Sequence, residues 1–355
     1  MRMSFRWFGP EDPVTLSRIR QIPGVESVVA SLFHIPVGEA WPQADIAALK
    51  RQITDAGLKL EVIESLNIHE DIKAGSAARR DEYIENYQLT LRRLAAAGVE
   101  TVCYNFMPVF DWTRTSLHHR LADDSSTMFF DGAALSRMSP DELFARVRSE
   151  SGGVELPGWE AERLRELRVC FERYAGLGTE GLWQNLAYFL SAVIPVCEEV
   201  GINMAIHPDD PPWPIFALPR IITGAENLER FLGLYESPRN GLTLCAGSLG
   251  ANQQHSIPGF IRHFGSRIHF GHVRNLKHEG NGVFYESAHL SSCGSLDLFA
   301  IMKAYHEIGY TGHIRPDHGR MIWGEQGRAG YGLYDRALGA SYLLGLWEAI
   351  NKMSR

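Results

Sequence analysis

The sequence predicts an α/β protein, a (β/α)8 barrel of the TIM type, on three observations. Short β-type runs alternate with amphipathic helical stretches along most of the 355 residues, and eight such runs can be counted. Four of the later runs end at or just before His207, Cys245, His272 and Asp317, separated by roughly 27 to 45 residues, about one strand, a loop and a returning helix. Four parallel strand ends converge on one point most naturally in a closed barrel.

MSFRWFG (3–9) reads as the first strand, with VTLSRIRQI (14–22) as its helix. VESVVASLF (25–33) is the second, followed by the helix DIAALKRQITDAG (45–57), which Gly57 closes. LKLEVIES (58–65) makes a third strand. The helix DEYIENYQLTLRRLAAAG (81–98) then carries apolar residues at helical spacing up to Gly98, and VETVCYNF (99–106) is strand four. Between 107 and 178 the rhythm breaks, so this stretch is expected to be an insertion within a single domain spanning 1–355. Its place after strand four puts it beside the C-terminal face, as a lid or a subunit contact. The pattern resumes with a helix over 181–201 and the strands INMAIHP, NGLTLCAG, RIHFGHVR and GHIRPDH. Helices are expected around 226–235, 256–264 and 295–308, and 334–350 is the last outer helix.

Composition narrows the function. Hydrophobic residues make up 45% and charged residues 22%, enough for a large core. The net charge of −7 and the absence of a long basic run argue against nucleic acid, which leaves a small soluble substrate. No segment approaches the roughly 18 apolar residues of a membrane span, and the N-terminus lacks a signal peptide pattern, so a cytoplasmic protein is expected, possible as a homo-oligomer. Five cysteines, an odd number without CxxC spacing, argue against a disulfide framework or a ribbon-type zinc site and leave Cys245 free for metal.

Imidazole, thiolate, imidazole and carboxylate are all competent donors, and a divalent cation would bind the cysteine as thiolate. The donor set alone suggests zinc, while the single carboxylate and a site open to substrate oxygens also admit Fe²⁺ or Mn²⁺. Taken singly, each residue is more often packed than ligating. His269 should point to the opposite strand face from His272 and Phe270, and Cys103 reads as core. Asp317 is followed at once by His318, so one residue can hold metal while its neighbour serves as acid or base. Beyond it, a Gly-rich stretch is expected as a mobile segment over the barrel mouth; a cation near its Tyr331 would lower that residue's pKa. Arg274 and Arg315 share strand faces with the ligands and are placed to grip a carboxylate, although Arg315 can instead pair with a barrel carboxylate such as Glu64. Trp7, Glu64, His69 and Asn105 fall near strand ends and are expected along the pocket.

The segments MAIHPDDPPWPIFALPRI, GLTLCAGSLG, RIHFGHVRN, FYESAHL and IRPDHGR resemble the mannonate dehydratase family, and the likeness runs from RWFGPEDPVTL to the final helix, weakest in the insertion. The resemblance implies a TIM barrel that removes water from the sugar acid D-mannonate to give 2-dehydro-3-deoxy-D-gluconate in bacterial hexuronate breakdown. It implies Mn²⁺ or Fe²⁺, one cation per chain, in place of zinc. His207, Cys245, His272 and Asp317 match the family's ligands, and His318 and Tyr331 its proton-handling pair. Ala329 stands where the family pattern leads one to expect proline, and Val273 and Asn275 where it leads to Leu and Ser; no donor is lost. A metal-dependent sugar isomerase or epimerase on the same barrel, and a non-catalytic metal-stabilised binding protein, are the rival readings.

Overall fold

The computed structural model describes residues 1–76, 78–151 and 167–354. Eight strands close a barrel: β1 (Arg2–Arg6), β2 (Val25–Ala30), β3 (Lys59–Glu64), β4 (Thr101–Tyr104), β7 (Asn203–Ile206), β8 (Asn240–Cys245), β9 (Ile268–His272) and β12 (His313–Arg315). All neighbouring pairs run parallel, as one-way βα connections require. The strands are apolar on both faces because each is covered twice. Inside the barrel Val29, Val62, Cys103, Ala205 and Phe270 form a layer of their own, while a larger core lies between strands and outer helices. Phe270 points inward, so His272 does too, one step nearer the C-terminal rim.

The helices stand close to their expected positions: Gln43–Asp55, Arg80–Ala96, Gly178–Val200, Ala225–Leu234, Ile257–Phe264, Leu298–Glu307 and Leu333–Met353. The first differs. Only Leu16–Ile19 is helical, started by the Thr15 side chain and stopped short of Ile22, because Pro23 disfavours a helical residue before it and Gly24 turns with φ +75°.

The stretch after β4 is more ordered than its sequence suggested. It holds the strands β5 (Ser116–Arg120) and β6 (Ser126–Asp131), then helices at Gly132–Leu135, Pro140–Glu150 and Leu167–Ala175. The second of these begins with a reciprocal cap between Ser139 and Glu142. A second hairpin, β10 (Asn275–Gly280) and β11 (Val283–Ser287), grows from the loop after β9, a stretch to which the sequence pattern assigned no element. Its sign was present in Asn281-Gly282, with Gly282 at φ +69° between paired Gly280 and Val283. The two hairpins join through β6 and β11 into a four-stranded antiparallel sheet of order β10-β11-β6-β5. Phe130 stacks on Phe284 at 5.2 Å beneath it, and Ser126 pairs with Met321, which ties the sheet to the loop after β12. Among the described residues, no helix is long and apolar enough to cross a membrane.

Candidate metal centre

His207 follows β7, Cys245 ends β8, His272 ends β9 and Asp317 lies just past β12. Ligand atoms of His207, Cys245 and His272 fall within 4.8 Å of one another. Asp317 joins them, with Oδ1 3.8 Å from His272 Nδ1 and Oδ2 accepting from Cys245 Sγ at 3.4 Å. Asp317 takes φ +58°, a left-handed conformation uncommon outside glycine. The strand alternation is broken there, so Asp317 and His318 both face the site although they are neighbours.

Protonation and hydrogen bonding fit a cation. His207 Nδ1 is 2.7 Å from the Pro208 carbonyl, which can only accept, so Nε2 is left for metal. Burial lowers His272 well below the ordinary range, helped by Arg315, and keeps it as the neutral imidazole a metal needs. Its Nδ1 is buried without a hydrogen-bond partner, as is Glu64 Oε2, which lies 3.6 Å from His272 Nε2. Arg315 Nε donates to His272 Nε2 at 3.0 Å, so the neutral ring carries its proton on Nδ1, the nitrogen that faces Asp317, and a cation held there would displace that proton. Burial alone would also lower His207, but Cys245, Asp317 and Glu64 outweigh it and raise the ring to about 9. Those same groups would attract a divalent cation in place of the ring proton.

His318 and Tyr331 meet at 2.8 Å between Nε2 and the phenol oxygen. Arg274 Nη1 lies 2.7 Å from His318 Nδ1, and because guanidinium only donates, Nδ1 accepts and the ring proton sits on Nε2. Burial, reinforced by Arg274 against the pull of Asp317, lowers His318 and keeps it neutral. Tyr331 differs from the expectation of a loose, acidified phenol. It is 6% exposed and packs edge-on against Phe8 at 4.8 Å, and Arg336 donates to its carbonyl. Burial pushes its pKa up, outweighing Arg315, so the phenol stays protonated.

Arg274 also donates to Asp317 and to Asp210 at 2.8 Å each and forms an ion pair with Glu286 at 3.0 Å. Arg114, from the segment after β4, reaches the same Asp210 with two bonds of 2.8 and 3.1 Å and Glu286 with two of 2.7 and 3.2 Å. Two arginines and two carboxylates thus neutralise one another while fully buried. Gly247 admits this arrangement, since a Cβ there would lie 1.8 Å from Arg274 Nε. The sequence reading missed Asp210, Glu286 and Arg114. The first two stand in the quoted segments HPDD and FYESAHL, but only the Asn-Gly hairpin signal would have lifted Glu286 over the site.

Asn105 and Arg315 line the cavity with Arg274, His318 and Tyr331. Arg315 bonds Glu64 at 2.7 Å and Asp317 at 2.9 Å, the pairing foreseen as its alternative. Asn105 donates to Asp111 at 3.0 Å. Trp7 does not reach the cavity. One residue along β1's alternation turns it into the core, and Arg6 takes the inner position. His69 caps the helix Glu70–Lys73 instead of lining the site, and burial holds the outward His269 down at about 4.

A closed parallel barrel with nitrogen, sulfur and carboxylate groups gathered at its C-terminal rim, and a hydrogen-bonded histidine–tyrosine pair beside them, fits the class of metal-dependent barrel enzymes for small polar substrates. The family model described as D-mannonate dehydratase (UxuA) matches residues 1–355. The chain belongs to the D-mannonate dehydratase family, which is metal-dependent. It is 63% identical to the mannonate dehydratase of Thermotoga neapolitana over 99% of both chains. The crystal structure of mannonate dehydratase from Streptococcus suis serotype2 superposes with a TM-score of 0.90 at 45% identity, covering 100% of this chain and 96% of that one. An L-ribulose 3-epimerase structure, at 14% identity and TM-score 0.55 over 99% of this chain and 96% of that one, shares the fold alone.

Proposed function

We propose that this chain removes water from D-mannonate to give 2-dehydro-3-deoxy-D-gluconate, with one Mn²⁺ or Fe²⁺ held by His207, Cys245, His272 and Asp317. When bound, the cation supplies Lewis acidity to the substrate's carboxylate and adjacent hydroxyl, which makes the C2 hydrogen removable. The residues do the rest. Arg274 and Arg315 bring positive charge to the substrate carboxylate. His318 and Tyr331 share the two proton jobs, uptake from C2 and delivery to the departing C3 hydroxyl, a leaving group too poor to go as hydroxide. In the resting arrangement Nε2–H points at the phenol oxygen, which frees the Tyr331 proton for delivery. Glu286 Oε1 lies 3.4 Å from Nδ1, so in the other neutral tautomer, with the ring proton on Nδ1, it accepts that hydrogen bond and Nε2 has the lone pair that uptake from C2 needs.

The segment 107–178 acts in this reading as a cover, supported by Arg114 reaching Asp210 and Glu286. A reducing cytoplasm, in which Cys245 keeps its thiol, is the compartment such a centre suits.

The observation that carries the reading is the His318–Tyr331 contact directly beside the four-donor cluster. Metal-free protein should be assayed against a panel of hexonates with Mn²⁺, Fe²⁺, Mg²⁺ or Zn²⁺ added back. A 2-keto-3-deoxy acid is expected from D-mannonate with Mn²⁺ or Fe²⁺. An epimerised acid without loss of water would favour the isomerase reading, and no conversion under any metal would reject both.

A further inference from the structure

At the opposite end of the barrel three side chains meet that the dehydration does not use. His313 opens β12, Glu61 lies on β3 and Glu100 precedes β4, and one ligand atom from each falls within 4.8 Å of the others. His313 is 1% exposed, and its Nε2 has no hydrogen-bond partner. That nitrogen is aimed between the two carboxylates, 3.6 Å from Glu61 and 4.0 Å from Glu100. Its other nitrogen, Nδ1, is 3.2 Å from Ser27 Oγ; with Nδ1–H donating there, Nε2 carries a lone pair. Burial, seconded by Arg2, lowers the ring to about 4, so it is neutral despite the facing carboxylates. The carboxylates are answered meanwhile by Arg2, at 3.0 Å from Glu61 and 2.7 Å from Glu100. Arg2 is partly exposed and can swing into solvent.

We propose that His313, Glu61 and Glu100 form a second divalent-cation site, in which one imidazole nitrogen and two carboxylate oxygens hold the ion and Arg2 is the counter-charge it displaces. A neutral imidazole with two carboxylates suits borderline ions such as Zn²⁺ better than Ca²⁺ or Mg²⁺. A buried nitrogen without a partner is costly in a folded protein, and an ion removes that cost. The site would link β12 to β3 and β4 across the barrel floor, past β1 and β2 in the strand order, and so brace the end away from the chemistry.

Equilibrium dialysis of the full-length protein against Zn²⁺, followed by metal counting, tests this. Two zinc ions per chain are expected in the wild type, one in His313→Ala and one in Glu100→Ala, with the Mn²⁺-loaded turnover of both variants within about twofold of wild type. Glu100 is half exposed, so its variant keeps the test open should His313→Ala fail to fold. Arg2→Ala should bind the second ion tenfold more tightly or better. A wild-type chain that binds one zinc, or a second zinc that survives in Glu100→Ala, overturns the proposal.

Discussion

At the scale of single residues, the site is governed by who donates to whom. His318→Asn and Tyr331→Phe should each lower turnover on the order of 10²-fold or more while metal content stays unchanged, because both remove a proton carrier without removing a ligand. Steady-state kinetics with metal analysis checks this, and full activity in either variant would take that residue out of the mechanism. Gly247→Ala makes a sharper demand. Its Cβ would overlap Arg274 at 1.8 Å, so the guanidinium must leave its place between Asp210, Asp317 and His318. Substrate affinity and turnover should both fall while the barrel stays folded, and an unchanged kcat/KM would show that Arg274 does not act on substrate. The sequence singled out four residues that the structure brings together because each closes an apolar run; period-2 alternation fixes the side that His272 faces, whereas a left-handed backbone turns Asp317 inward. Trp7 was misplaced for the same reason in reverse: near a strand end, one residue decides between cavity and core.

At the scale of elements, the four-stranded sheet decides how the site is braced. Glu286 on β11 contacts Arg114, Arg274 and His318, and Thr127 on β6 donates to its carbonyl at 2.7 Å. Burial would raise the Glu286 carboxyl, yet Arg274 and Arg114 outweigh it and depress it from near 4.5 to about 2. A depressed carboxyl contributes stability that is complete above its unfolded value and is lost as pH falls through the folded one. Denaturant midpoints of the wild type should therefore drop between about pH 4.5 and 2. Glu286→Gln should lie lower at neutral pH, since it leaves two buried arginines short of charge, and should fall less steeply over that window. Parallel curves for the two proteins would contradict this. The sheet was hard to read beforehand because its strands pair across a long interval of sequence. Hydrophobic alternation marks a strand but does not name its partner.

At the scale of the whole molecule, the barrel was the legible part. Eight buried parallel strands give near-continuous apolar runs at regular spacing, and seven of the connecting helices announce themselves by periodicity and a terminal glycine or cap. A cation bound only by the folded cluster must also stabilise the whole. Chelation should abolish turnover and lower the melting temperature, and Mn²⁺ or Fe²⁺ should restore both. At a hundredfold excess over its dissociation constant the ion adds about 2.7 kcal/mol, readable by calorimetry. Cys245→Ala and Asp317→Ala should lose most of that gain, and a melting temperature indifferent to metal in the wild type would remove the centre from these four residues.

The hairpin after β4 and the hairpin after β9 are separate excursions that only together hold Glu286 over His318. Cleavage or local melting of either one would silence the enzyme while leaving the cylinder beneath intact. Loss of catalysis in this protein can therefore precede any spectroscopic sign of unfolding.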